Sequence, residues 1–460
     1  MGLAALCTSR AALAERVLTL DDALALARAH NRDLRVGRAR LAAAEAGVAQ
    51  ARAALLPTVA AQGKYTHNYK EVDLDISEFT APTTALADTI RASAGNAAES
   101  AAIAAYEQQA AAAIAMQPPI VIQKEEQLDG SVTASVPLVA PSAWYGYASA
   151  KSSARSGEAS YEVTEATVLV GVAQTYYAAA GADELVIARR DAVQVANDTY
   201  AVAKARVGSE LANPVDITRA EAALVRAQQD LVEAENTQAT TYRSLATLLG
   251  THDPLRVAPS ADVPPDPGAA AALVPHALVS RPELAVDHAA VDAAAQSSRA
   301  DAWKWAPTLS AFGNAHAFNY TGFSGDKYAW AAGLELDWVL YDGGARDAQR
   351  ATANAQAEEA RAQLDLLRDS ISDEVANARG TLDTKRKAVE ASSRARALAS
   401  EALRLTRAQY EAGTASQLDL LTAQDSLVAA DVTLAQAHFE VSLADLQLRR
   451  AAGVFPGGTR

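Results

Sequence analysis

Two hydrophobic periods run along this chain, and each predicts its own kind of element. In "LDGSVTASVPL", Leu128, Gly130, Val132, Ala134, Val136 and Leu138 alternate with Asp129, Ser131, Thr133, Ser135 and Pro137. In "YAWAAGLELDWVL", Tyr328, Trp330, Ala332, Leu334, Leu336, Trp338 and Leu340 share one face, with Glu335 and Asp337 opposite. "TVAAQGKYTHNY" (58–69) sets Val59, Ala61 and Tyr65 against Gln62, Lys64 and Asn68. A period of two predicts strands. "TLSAFGNAHAFNY" (308–320) reads as a fourth strand, but Phe312 and Phe318 fall on its polar side and leave its faces undecided. Two readings stand open: a small half-buried sheet, or strands of the ten-residue, aromatic-ended kind that cross a bilayer in a tilted barrel.

The second period is helical. Leu364, Leu367, Ile371 and Val375 are spaced by three or four in a stretch without breakers from Gly344 to about Glu411. No proline occurs between Pro141 and Pro214, nor between Pro307 and Pro456. At about 1.5 Å per residue each long helix would extend on the order of 100 Å, too long for a compact domain.

The chain repeats itself. "NRDL" (31–34) and "RPEL" (281–284) lie 250 residues apart, as do "LPTVAAQG" (56–63) and "APTLSAFG" (306–313). "PLVAPSAWY" (137–145) matches "VLYDGGARD" (339–347) in placement. Further on, "VGSELANPVDITRAEAAL" (207–224) is echoed by "YEAGTASQLDLLTAQDSL" (410–427), with Asp216 and Asp419 203 residues apart. The shrinking offset places roughly 48 extra residues in the first half, between about 70 and 127. Each half reads helix, strand, strand, long helix, break, helix. The first spans 18–261, with strands at about 58–69 and 128–138 and a long helix at about 142–207. A Pro-rich linker, 262–275, leads into the second, 276–453, with strands at about 308–320 and 328–340 and a long helix at about 344–411. A tail, 454–460, follows. Within the extra segment, 98–116 reads as a helix, either a lid or partner-facing surface or an Ala-rich decoration.

Composition narrows the partners. Of 460 residues 50% are hydrophobic and only 5% aromatic, as expected for long, closely packed Ala-rich helices. A net charge of −14 argues against nucleic acid. No charge-free apolar run reaches the roughly 18 residues of a transmembrane helix, so any membrane crossing falls to the strands. Residues 1–17 resemble a residual signal segment, with a small-x-small site at Ala12–Ala14; lipid attachment at Cys7, the only cysteine, is the alternative. One cysteine allows no disulfide framework. The seven histidines show no pair at metal-ligand spacing on a helix, and no phosphate-binding loop occurs, so neither cofactor, metal site nor catalytic group is expected. The two methionines argue against a soft-metal exporter that coordinates its cargo. Four strands cannot close a barrel, and lipid tolerates no open edge. The missing strands then come from identical copies, eight strands for two and twelve for three.

Taken together, "LTLDDALALARAHNRDL", "ALLPTVAAQG", "PSAWYGYASAK", "LYDGGARDAQRATANAQ" and "YEAGTASQLDLLTAQ" resemble the TolC-like outer-membrane efflux proteins over residues 18–453. The resemblance implies a mainly α fold with a small β part and a homotrimer. A twelve-stranded β-barrel in outer-membrane lipid continues into a long periplasmic α-helical barrel. It further implies a passive exit duct for efflux or type I secretion, fed by an inner-membrane transporter and opened at its helical tip by a periplasmic adaptor. A soluble or periplasmic coiled-coil scaffold is the rival reading.

In that frame the two breaks are where helices turn back. Gly208 and Gly413 are expected to supply the backbone freedom, and Asn213-Pro214 stops the first helix. Asp216 and Asp419 then cap the returning helices through the helix dipole, or Asp419 faces the symmetry axis as an acidic constriction. The resemblance assigns Asp216, Asp419 and Tyr410 to the aperture, while Thr422 and Ala415 stand where a well-known member has a second aspartate and an arginine. Gly208, Leu211, Gly413, Thr414 and Ser416 are the expected adaptor-docking tips. Tyr65, Tyr328, Trp330, Trp338 and Tyr341 are the expected membrane-interface aromatics.

Overall fold

The computed structural model describes residues 16–74, 81–115, 120–251, 254–258, 265–321 and 325–455. Most of the signal-like segment with Cys7, part of the linker and most of the tail lie outside them. In chain order the elements are β1 (Arg16–Leu18), α1 (Leu20–His30), α2 (Arg32–Ala53), β2 (Thr58–His67), β3 (Val72–Leu74), α3 (Ala81–Ala92), α4 (Ala97–Ala115), β4 (Ile120–Gln123) and β5 (Glu126–Val139). There follow α5 (Pro141–Gly208), α6 (Pro214–Leu249), β6 (Leu255–Val257), α7 (Ala270–Ser280), α8 (Pro282–Ala302), β7 (Thr308–Phe318), β8 (Tyr328–Asp337), α9 (Ala345–Glu411) and α10 (Gln417–Ala451). The strands and long helices begin and end within about three residues of the sequence expectation. The extra segment holds more than the single helix expected: a two-helix hairpin, α3 and α4, on a short antiparallel ribbon of β3 and β4.

The chain forms two compact units. The larger takes residues 1–48, 149–295 and 354–460; its regular elements among the described residues are helices, apart from β1 and β6, which pair in parallel. Its core has two equivalent parts. Leu18, Ala27, Leu169, Val172, Leu245 and Leu249 pack α1 against α5 and α6. Ala277, Leu284, Ile371, Val375, Leu382 and Leu448 pack α7 and α8 against α9 and α10. Val170 and Ala173 of α5 meet Leu446 of α10.

The repeat is visible in atomic detail. α1 ends at Asn31, whose N–H donates to the Ala27 carbonyl, and α7 ends at Arg281, whose N–H donates to the Ala277 carbonyl. Ala27 and Ala277, 250 residues apart, are both fully buried. Asn31 and Arg281 are buried too, and each is satisfied differently. Asn31 donates its amide to the Leu248 carbonyl (2.8 Å) and accepts from the Asp33 and Leu34 N–H groups. Arg281 is held between Glu283 and Glu374. A buried cation is tolerable only with such partners.

The smaller unit, 49–148 and 296–353, carries a four-stranded antiparallel sheet in the order β2-β5-β7-β8. Directly paired residues share a face, so the register reads the faces off. One runs across the strands as Gly63/Gly130/Ala317/Tyr328, Ala61/Val132/Ala315/Trp330 and Val59/Ala134/Gly313/Ala332, then Val136/Ala311/Leu334. Every one of these residues is apolar or glycine. The other face carries Lys64, Asp129, Gln62, Ser131, His316, Asn314, Glu335 and Asp337. The register also settles the ambiguous strand: Phe312 and Phe318 lie on the polar face. Phe312 rests against Gly333, where a Cβ would come within 3.2 Å of its ring, and Phe318 stacks on His316 with ring centres 6.0 Å apart.

Where β8 hands over to α9, the "LYDGGARD" stretch is a built cap. Asp342 accepts from the N–H groups of Gly344 and Arg346 and from the Arg346 guanidinium at 2.7 Å. Gly343 and Gly344 both take positive φ there. The buried Arg346 guanidinium in turn lies 3.9 Å above the Trp305 ring.

Candidate functional site

The two helix turns, α5 to α6 and α9 to α10, are built alike. At the end of α5, the Leu211 N–H reaches back to the Arg206 carbonyl (2.9 Å) and the Glu210 N–H to Val207 (3.0 Å). At the end of α9, Thr414 reaches back to Gln409 (2.9 Å) and Gly413 to Tyr410 (3.1 Å). This pair of bonds requires a left-handed residue just past the helix. Gly413 supplies it with φ of 79°. In the first turn the left-handed residue is Glu210, φ 59°, and not Gly208, which is the last residue of α5. Gly208 therefore does not make the turn. The hydrogen-bond pattern, which repeats at an offset of 203, selects position 210 whatever residue stands there.

Both returning helices open with a capping box. Asn213 caps α6 by accepting from Val215 N–H (3.1 Å), while Asp216 accepts from Asn213 N–H (3.3 Å). Ser416 caps α10: Asp419 N–H donates to its hydroxyl (3.2 Å), and Asp419 Oδ2 accepts from Ser416 N–H (2.9 Å) and Oγ (2.7 Å). These bonds to the ionised form hold the Asp419 carboxyl below its ordinary pKa. Pro214, at the first position of α6, lacks only an N–H that would be idle there.

The turns meet through a contact that no spacing in the sequence reveals. Arg206, near the end of α5, donates from Nη1 to the Tyr410 carbonyl at 2.6 Å, and its guanidinium lies 4.5 Å from the centre of the Tyr410 ring. Tyr410 is only 5% exposed, and its hydroxyl and the Arg206 Nε are buried without a hydrogen-bond partner. Burial pushes the Tyr410 hydroxyl above its ordinary pKa; Arg206 opposes that shift and the nearby Asp216 carboxylate adds to it. The structure thus brings Tyr410, Arg206 and Asp216 together, with Asp419 bound within its own cap. Gly208, Gly413, Thr414 and Ser416 are exposed, and Leu211 is 70% exposed.

In the sheet unit, the five expected interface aromatics are all exposed, Trp330 at 81% and Tyr341 at 85%. Tyr65 sits at one end of the apolar face, donating to Glu126, which also binds His67 at 2.9 Å. Tyr328 lies at the same end of the ladder. Trp338 and Tyr341 follow the other end of β8, and Trp338 Nε1 donates to the Trp305 carbonyl at 3.1 Å. Tyr328 to Trp338 spans about 34 Å of strand at about 3.4 Å per residue, or roughly 26 Å of height at a 40° tilt. Among the described residues no helix is long and apolar enough to cross a membrane, and no three His, Cys, Asp or Glu side chains gather as metal ligands.

Comparison with known proteins agrees with this architecture. The family model described as outer membrane efflux protein matches residues 123–251 and 273–454. The chain is 28% identical to outer membrane efflux protein BepC of Brucella suis over 266 residues, 56% of this chain and 57% of BepC. It is 25% identical to outer membrane protein TolC of Vibrio cholerae over 345 residues, 72% of this chain and 78% of that one. It thus spans little more than half the length of the first of these relatives. The outer membrane protein VceC of Vibrio cholerae shares the fold, with a TM-score of 0.72 at 18% identity over 94% of this chain and 96% of VceC. With more than half of its residues matched by the family model, the chain belongs to the outer membrane efflux protein family.

Proposed function

We propose that three copies of this chain close a twelve-stranded barrel in the outer membrane and form the passive exit duct of a tripartite efflux or type I secretion system. The sheet carries the proposal. Its inward β5 and β7 are paired on both sides, while β2 and β8 each have one edge without a partner among the described residues. An apolar face bounded by two open edges is stable in lipid only if other strands complete it. A scaffold with a soluble cap would have to bury that face against its own helices, yet the whole of β8 is exposed.

The paired helix turns are the periplasmic aperture in this reading. Tyr410, clamped by Arg206 and flanked by Asp216, holds the turns together. Asp419 presents its remaining carboxylate oxygen to solvent, so three copies would place three acids round one axis. Leu211, with Gly208, Gly413, Thr414 and Ser416, is the surface offered to a periplasmic adaptor that couples the duct to an inner-membrane transporter. The capping role and the constriction role of Asp419 coexist, because its cap uses one oxygen, Oδ2.

The test is single-channel conductance in planar bilayers. Multivalent cations added on the periplasmic side should block the natural channel, and Asp419→Ala should abolish the block while leaving the heat-modifiable oligomer intact. Equal block in the variant would remove Asp419 from the constriction.

A further inference from the structure

The α3–α4 hairpin is the part of the chain that the duct does not explain. It is well made as a local unit. Asn96 caps α4 by accepting from Glu99 N–H (2.9 Å), Glu99 accepts from Gly95 N–H (3.1 Å), and Arg91 of α3 pairs with Glu107 of α4. Its surface is another matter. From Ala97 to Ala113 no residue of α4 is buried, although the helix carries only two charges, one at its first turn and one in the Arg91 pair. Leu86, Ala87, Ile90, Ala102, Ile103 and Tyr106 line an open groove of about 460 Å³, and Tyr106 is 73% exposed. The helix is mostly alanine and its few polar residues gather on no one side, and a bare apolar patch like this groove marks a contact surface.

The occupant follows from where the hairpin is rooted. It leaves the sheet where β2 ends and β5 begins. There His67 pairs with Glu126, and Asn68 continues the ladder by donating to the Glu125 carbonyl at 2.8 Å. β2 is the open edge at which another copy must join. Each hairpin therefore stands beside the neighbouring subunit, continuous with the interface the sheet demands. A lipid surface fits poorly, because it selects a helix with one apolar face and a cationic one. This hairpin has no cationic face, and Asp88, Glu99 and Glu107 outnumber Arg91.

We infer that the α3–α4 hairpins of adjacent subunits pack into one another's grooves, so that three copies form a six-helix cap at the β2–β5 end of the barrel. The inference rests on the trimer proposed above. The test uses the full chain in outer-membrane fractions, with Cys7→Ser combined with Tyr106→Cys and, separately, with Leu86→Cys. Under mild oxidation at least one variant should convert most subunits to a reducible dimer band, and a solvent-sensitive label on the same cysteine should shift to the blue in the oligomer. A heat-modifiable oligomer with neither cross-link nor shift would overturn the cap alone. So would quenching of the label by brominated phospholipid vesicles, since lipid would then fill the groove. Absence of a heat-modifiable oligomer from the unsubstituted chain itself would overturn both the cap and the trimer.

Discussion

Replacing Arg206 by alanine removes a guanidinium that binds the end of α9 in two ways at once. Its Nη1 donates to the Tyr410 carbonyl at 2.6 Å, a charge-assisted bond worth about 1.5–3 kcal/mol. Its plane over the Tyr410 ring adds about 0.5–1 kcal/mol. Two observations pull the sum down. The Tyr410 carbonyl also accepts from the Gly413 N–H, so the alanine variant does not orphan it. The Arg206 Nε is already buried without a partner, a cost the variant relieves. A net of about 2 kcal/mol remains, roughly a 30-fold shift. If opening separates the end of α5 from the end of α9, that shift appears as a roughly 30-fold rise in the open fraction of single channels recorded without an adaptor. Arg206→Lys keeps the charge but loses the fork and the flat stack, and should fall between. An Arg206→Ala open fraction within twofold of the natural channel would show that the clamp survives opening, and the reasoning would fail.

Glu210 holds a left-handed conformation that disfavours a Cβ, so Glu210→Gly should stabilise the α5–α6 turn by about 1 kcal/mol, read as slower hydrogen exchange at the Leu211 amide. Ser416→Ala should loosen the start of α10 by about 1 kcal/mol, seen as faster exchange at Asp419. Because the folded Asp419 pKa lies below its ordinary value, its share of that cap is complete at neutral pH, fades as pH falls below about 4 and is lost beneath the depressed pKa. Asp419→Asn should abolish this acid dependence of exchange at Ser416. Ile371, fully buried where α9 meets the second half-core, should lower stability by about 2–5 kcal/mol when cut to alanine, measured by the denaturant midpoint of the purified protein.

Period carried most of the fold into view, because period is a local property. Ten residues of alternation in β8 are enough to announce a strand with one apolar side, and no partner need be known. Faces are another matter where the pattern is mixed. Phe312 and Phe318 could not be placed from β7 alone, since only its register against β5 and β8 says which side they share. The same limit hid α3, whose "APTTALADTIRA" combines an early proline with three threonines and offers only Leu86 and Ile90 as large apolar residues, too few to set a period. It hid Arg206 more completely: its partner Tyr410 lies 204 residues away, and nothing distinguishes it from the other 40 lysines and arginines. The first turn departs from the expectation for a different reason. Glycine is a good marker of a left-handed residue, but Gly208 stands two places before the position the hydrogen bonds select.

That displacement says something about how the repeat has been kept. Between the two turns the capping residue changes from asparagine to serine and the left-handed residue from glutamate to glycine, yet the bonds that define the turn recur at an offset of 203. At the other landmark, Asn31 and Arg281 do the same buried job with different chemistry, one an amide to a carbonyl and the other a cation between two carboxylates. What the two halves share is therefore first a set of backbone requirements, with a few side chains such as the capping aspartates Asp216 and Asp419 held in common. The side-chain differences fall where the halves must not be equivalent. Tyr410 stands opposite Val207 in the repeat, and Arg206 opposite Gln409, so only one of the two turns can carry a ring and only the other can carry the cation above it. A duct whose tip needs a clamp between unlike turns requires that asymmetry, and a perfectly duplicated chain would lack it.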